Sequence, residues 1–252
     1  YFILAKTIAM VNKYYGTFVK CPDVVDQKVQ KVNLPQESIV TFSDWIYFPL
    51  VNYTFPTVPS NHKDEPALDI LADLMAGSKK SLFYKTFVDD RDDYLQASIG
   101  HPTYELAGEW GINVVSYPGL DLTAQLKKTR DLVTATINKF GEVGFSDEDL
   151  VIAKKQRSLG YYGYGETIAG KASMLSDLQV FTKGKKNVQD YVDDYNKVTK
   201  ADVMRVYNQY IKNKNAAIVQ VIPDPRQNIA GQKYQPVESV NPYASVTNDP
   251  KD

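Results

Sequence analysis

Asp64-Glu65-Pro66-Ala67-Leu68-Asp69-Ile70-Leu71-Ala72-Asp73-Leu74-Met75-Ala76-Gly77 is the stretch on which the fold turns. Leu68, Leu71, Ala72 and Met75 recur at the spacing of one helix face, Asp64 stands where a capping side chain belongs, Pro66 falls in the first turn, and Gly77 ends the pattern. The stretch predicts a helix. Upstream, Ile39–Phe48 and Val51–Phe55 are rich in β-branched and aromatic residues, and Val51, Tyr53 and Phe55 alternate with Asn52 and Thr54, the period of a half-buried strand. Downstream, Ser81–Val88 reads as a short second helix, and Tyr94–His101 and Ala107–Tyr117 as a strand pair around Pro102-Thr103.

Further out, Ile3, Thr7, Met10, Val11 and Tyr14 make one face of an opening helix, with Gly16 as a left-handed stop, and 17–38 has the composition of a linker. Leu122, Leu126, Val133, Ile137 and Phe140 keep a helical face that Gly141 is expected to end. Ser146-Asp147-Glu148-Asp149 heads the next helix, with a break predicted near Gly163–Gly165. Thr199 caps a helix that leads into strand Ala216–Ile222, and from Pro223 the chain reads as an extended tail.

The chain has 252 residues, 43% of them hydrophobic and 23% charged, enough for one substantial core. Twenty-nine Lys and Arg balance 30 Asp and Glu, which argues against the basic field that nucleic-acid binding needs. Cys21 is the single cysteine, so the chain can form neither an internal disulfide nor a thiolate zinc cage. No apolar run reaches the roughly 18–20 residues of a bilayer-spanning helix, so no transmembrane segment is expected. The first residue is Tyr1, and the chain is expected to be a processed or excised part of something longer.

His62-Lys63-Asp64-Glu65-Pro66 starts like the H-x-x-E-H zinc motif, but proline replaces the second histidine, and His62 falls before the helix. His62 is therefore expected as a loop residue, His101 as a turn residue, and no metal site is assigned. Gly160-Tyr161-Tyr162-Gly163-Tyr164-Gly165 lies inside a helical pattern and reads as close packing or a bend. Asp89-Asp90-Arg91-Asp92-Asp93 lacks the alternation of a calcium loop and reads as a solvated turn. Tyr47, Tyr53, Tyr161, Tyr162 and Tyr164 could line a cavity for an extended peptide or pack in the core; spacing does not separate the two.

The order of elements, with 64–77, then Ser81-Leu82-Phe83, then Gly144-Phe145-Ser146-Asp147-Glu148-Asp149-Leu150-Val151-Ile152-Ala153-Lys154, resembles the insulinase/pitrilysin family of zinc metallopeptidases over about residues 38–222. The opening helix and its Lys13-Tyr14-Tyr15-Gly16 exit look like the end of a preceding repeat. The resemblance is to the non-catalytic C-terminal repeat. It implies an α+β fold, a mitochondrial processing peptidase-like α/β roll of mainly antiparallel sheet with helices packed on one face. Implied boundaries are 1–31 for the terminal helix of a preceding repeat plus linker, 32–225 for the repeat, and 226–252 for an extended tail.

The family pairs such rolls into a chamber, so the resemblance implies a catalytic zinc-binding repeat as partner, in cis or in trans. A peptide is the implied substrate, with zinc in that partner and no cofactor in this chain. The partner-type repeat often supplies an arginine and, seven positions later, a tyrosine that grip the peptide. Tyr94 fits the tyrosine only if Phe87 takes the arginine's place, and a register shifted by one gives Val88 and Leu95; Arg91 is nearby at shorter spacing. Arg91 and Tyr94 are thus the implied substrate-binding residues. The rival implied role is a catalytically inactive assembly subunit akin to processing-peptidase core proteins, and a binding module for an unrelated ligand ranks last. A bacterial exported location goes with the resemblance.

Overall fold

The computed structural model describes residues 3–22, 32–224 and 226, and the chain forms two compact units, Tyr1–Lys31 and Val32–Asp252. In the first, α1 (Leu4–Tyr15) is amphipathic but buries none of its residues. Gly16 ends it in the right-handed region (φ −67°), so the expected left-handed stop is not used. The tail expected over 226–252 lies outside the described residues except Arg226.

The second unit is built on one five-stranded sheet of order β1-β5-β2-β4-β3: β1 (Ser38–Asp44), β2 (Leu50–Thr57), β3 (Tyr94–Gly100), β4 (Gly108–Ser116) and β5 (Ala217–Pro223). Only β1 and β5 run parallel; the other pairs are antiparallel. The fold is α+β, as the sequence implied. Ile39, Ile218, Tyr53, Ile112 and Ile99 lie side by side across all five strands and face the core, where β-branched and aromatic neighbours pack best. On the opposite face two rows cross the sheet. One is Val40, Val219, Asn52, Asn113 and Ser98, and the other Phe42, Val221, Leu50, Val115 and Gln96.

The helices cover the core face. Helix α2 (Glu65–Ala76) follows β2; α3 (Leu82–Tyr84) continues through a π turn, Lys85–Asp89, to β3; α4 (Leu122–Val143) follows β4. Then come α5 (Asp147–Tyr164), α6 (Ile168–Thr182), α7 (Val188–Lys197), and α8 (Lys200–Val206) with a second π turn, Tyr207–Ile211, before β5. Ser146, Asn187 and Thr199 each form a capping box with the aspartate three residues on, which satisfies otherwise orphaned N–H groups. The break expected at Gly163–Gly165 separates α5 from α6, and close packing falls on Gly170, where a Cβ would lie 1.8 Å from the Tyr164 carbonyl oxygen. Gly160 and Gly163 have open space around them.

Gly141 does not end α4. The helix runs to Val143 and stops at Gly144, whose φ of 68° favours glycine. Gly141 is instead where α4 meets the buried Tyr207 ring, and a Cβ there would sit 2.6 Å from the Tyr207 hydroxyl, itself donating to the Ile137 carbonyl at 2.8 Å. Alanine is the better helix former by about 1 kcal/mol, but overpacking of a fixed ring costs about 1–3 kcal/mol. Gly141→Ala is therefore expected to lower stability in urea unfolding; a rise would show that Tyr207 can move aside.

Candidate functional site

Helix α2 positions everything around it. It is buried on nearly all sides, with Leu68, Ile70, Leu71 and Met75 inaccessible, yet it carries Glu65, Asp69 and Asp73 at four-residue intervals, with Asp64 just before it. Charges so placed are stable only when partnered. Asp64 does not cap the helix as expected: its side chain accepts from the Tyr210 hydroxyl at 2.8 Å and pairs with Arg205 at 2.9 Å. Burial alone would raise its pKa, but Arg205 and Tyr210 outweigh burial and hold the carboxyl below the usual range. Glu65 accepts from the Thr103 hydroxyl and the Asn61 N–H, both at 2.5 Å; burial still pushes its pKa up.

Asp69 is the centre. His101 Nδ1 donates to Asp69 Oδ1 at 2.8 Å, and the Tyr195 hydroxyl donates to Oδ2 at 2.5 Å. Tyr191 donates in turn to the Tyr195 oxygen at 2.9 Å, and His101 Nε2 stands 3.0 Å from the Thr57 hydroxyl. One turn on, Asp73 takes two hydrogen bonds from Arg157 of α5, at 2.5 and 2.9 Å, a bidentate pair. His101 does lie in the β3–β4 connection, as a turn residue would, but it is buried and bonded to Asp69; a period-based reading has no means to see its partner 32 residues away. Burial, then the Asp69 charge, push the Tyr195 pKa far up, and burial pushes Tyr191 up to about 12.

His62 lies in the turn before α2, half-buried, where its Nδ1 accepts the Asp64 N–H at 3.1 Å. His62 and Glu65 thus have separate partners, and among the described residues no group of three or more His, Cys, Asp or Glu is placed to hold a metal ion. Asp93 of the acidic run pairs with Lys128 at 2.6 Å, and Asp89, Asp90 and Asp92 are exposed.

Arg91 and Tyr94 lie at the entry to the edge strand β3. A bulge places Tyr94 opposite Ser116 and Gln96 opposite Val115, leaving Leu95 as the extra residue. Because side chains alternate along a strand, that one residue turns Tyr94 to the core face, with Ala97, and leaves Leu95 42% exposed. Tyr94 packs edge-on against Phe87 at 5.0 Å, and its hydroxyl is 3.2 Å from Thr129 of α4. Burial raises its pKa. Arg91 is half-buried, its Nε shielded from solvent and without a hydrogen-bond partner.

Of the five tyrosines weighed for a peptide cavity, Tyr161 and Tyr164 line two adjoining cavities, of about 320 and 420 Å³, together with Tyr191. Tyr53 is in the core, Tyr47 is 69% exposed, and Tyr162 is exposed with its hydroxyl on Gln189. The sequence reading missed Tyr191 and Tyr195. The signal was there in an α7 text that places Tyr191, Val192 and Tyr195 on one helical face.

The buried tyrosines set an alkaline limit. A raised folded-state pKa contributes stability that is complete below the unfolded value, about 10, and is lost as pH rises through the folded value. Stability should hold to about pH 9 and fall above it, with a shallower fall in Tyr195→Phe. That variant should also be less stable at neutral pH by about 1 kcal/mol, since Asp69 loses a donor. An unchanged alkaline slope in urea titrations of the variant would remove Tyr195 from this account.

Comparison with known proteins gives three findings. The family described as peptidase M16 inactive domain matches residues 4–157. No curated protein matches the chain. Solved structures share its fold. A protease from Helicobacter pylori matches at 18% identity and TM-score 0.70 over 88% of this chain and 53% of that one. A peptidase M16 inactive domain from Pseudomonas fluorescens matches at 15% and 0.71, over 94% and 53%. Complex III2 from Candida albicans matches at 11% and 0.66, over 87% and 52%. The chain thus spans about half the length of these structures.

Proposed function

The chain belongs to the peptidase M16 inactive-domain family, and from that premise we propose that it is the non-catalytic, substrate-enclosing half of a zinc-dependent metalloendopeptidase. A second repeat, in cis or in trans, carries the zinc and cleaves the peptide. The observation that carries the reading is the two-faced sheet. Its helices are locked to one face through α2, while the other carries the Asn52–Asn113–Ser98 row of hydrogen-bonding side chains beside the apolar Phe42–Val221–Leu50–Val115 row. Such a surface suits a peptide that needs both backbone partners and apolar contact. Helix α1 fits the end of the preceding repeat, and 32–225 the roll itself.

Arg91 is the residue of this half proposed to contact substrate, since it precedes an edge strand to which an extended backbone can add. Tyr94 serves as a positioning residue, holding that strand to α4 through Thr129.

Co-expression with a zinc repeat carrying H-x-x-E-H from the same reading frame tests the whole proposal. The pair should hydrolyse unfolded peptides in a chelator-sensitive reaction, while neither half alone does so well. In that pair Arg91→Ala should raise KM by about tenfold, the scale of one hydrogen bond to a charged group. Tyr94→Phe should leave KM unchanged and reduce stability by about 1 kcal/mol. A pair that assembles but gains no activity would overturn the enzyme reading. It would favour the assembly subunit, which the likeness in fold to a chain of complex III2 supports.

A further inference from the structure

On the helix side of the second unit, away from the sheet's free face, the cavity of about 420 Å³ has an unusual lining. Five aromatic residues surround it: Tyr104, Tyr161, Tyr164, Phe181 and Tyr191. Three carboxylates, Glu65, Glu105 and Asp177, join them, and no lysine, arginine or histidine does. Tyr161 and Tyr191 stack at 4.1 Å with 19° between their planes, and Tyr191 is tied to Tyr195 and so to Asp69; this wall is fixed by the core. Met174 and Leu178 supply apolar surface.

The carboxylates differ in state. Both oxygens of Glu65 already accept hydrogen bonds, from Thr103 and Asn61. Glu105 and Asp177 are exposed, and no cation among the described residues is within ion-pair distance of either. Asp177 lies close enough that its charge, after burial, helps to raise the pKa of the Tyr161 hydroxyl.

Aromatic faces carry negative potential and attract cations, most of all the alkylated ammonium groups that shed water readily. An anion would meet three carboxylates and no base. A hard metal ion needs converging oxygen ligands, and no such group of three occurs among the described residues. We propose that this cavity binds an organic ammonium group, held against the Tyr161–Tyr191 wall and neutralised by Asp177 and Glu105. The site is independent of the peptidase reading, since it lies on the helix side of the domain.

The full 252-residue chain, titrated calorimetrically with choline and with its uncharged isostere 3,3-dimethylbutan-1-ol, tests the site. Choline should bind saturably and at one site, and the isostere should bind at least about tenfold more weakly. Tyr161→Leu and Asp177→Asn should each weaken choline binding by about three- to tenfold, while Tyr161→Phe, which keeps the ring, and Tyr47→Leu, on distant surface, should not. Circular dichroism and melting establish folding; should Tyr161→Leu fail to fold, the exposed Asp177→Asn with Tyr161→Phe still decides. A parallel titration with N-acetyl-lysine amide and its norleucine analogue separates a small quaternary ammonium from the primary ammonium of a peptide side chain, either of which supports the site if the cation is required. No saturation below about 100 mM, equal binding of the isostere, or undiminished binding to Asp177→Asn overturns it.

Discussion

Four carboxylates in and beside one buried helix set the terms for the rest of this structure. Removing a carboxylate from water costs several kcal/mol, and a pair repays this only with good geometry and full hydrogen bonding. Helix α2 and the residue before it carry Asp64, Glu65, Asp69 and Asp73, and between them they draw partners from several parts of the chain. Arg205 and Tyr210 come from α8 and the π turn after it, Thr103 and His101 from the β3–β4 connection, Tyr195 from α7 and Arg157 from α5. A shift of any one of these elements would leave one of these carboxylates short of a partner. The apolar side of α2 supplies the larger favourable term through Leu68, Ile70, Leu71 and Met75, but apolar burial is non-directional. The carboxylates fix which way the helix faces and what surrounds it.

The same constraint explains how the molecule divides its surfaces. With the helices held against the core face by directional bonds, the sheet's other face carries no helix layer among the described residues of the second unit. That is where Asn52, Asn113 and Ser98 share one row, with Thr54 donating to Asn52 at 3.1 Å. On the helix side, the chain of hydroxyls from Asp69 through Tyr195 to Tyr191 carries the order of the core outward to the aromatic wall of the 420 Å³ cavity. Both surfaces inherit rigidity from α2, which would lower the ordering cost of the binding proposed at either.

What could be read from sequence followed the range of the interaction. Periodicity located α2, β2, β3, β4, α4 and β5, because a 2.0 or 3.6 repeat is written in neighbouring residues. The order of strands could not be read that way. β1 and β5 pair in parallel although Ser38 and Ala217 are far apart in the chain, and only the fold closes that distance. Local chemistry misled where tertiary partners outbid it: Asp64 looked like a cap and became half of an ion pair, Gly141 looked like a stop and became a contact with Tyr207. The bulge at Leu95 was invisible because it depends on the register of β4, and with it went the direction of Tyr94. The family resemblance, by contrast, was carried by contiguous strings from 64 to 154, within the residues that the family match covers.

One arrangement calls for a chemical decision. Asp69, His101 and Thr57 have the hydrogen-bond order of a hydrolytic triad, carboxylate to imidazole at 2.8 Å and imidazole to hydroxyl at 3.0 Å. A triad, however, must present its hydroxyl to a substrate carbonyl, and must let the imidazole take and return a proton beside it. Here the imidazole side chain is inaccessible and Thr57 is half-buried, so the pair is not presented to a substrate carbonyl. Asp69 also takes a second short hydrogen bond from Tyr195, which steadies the carboxylate whether or not the imidazole is charged. The three residues therefore act as a lock between α2 and the sheet, and the chemistry proposed for the assembled enzyme belongs to the other half.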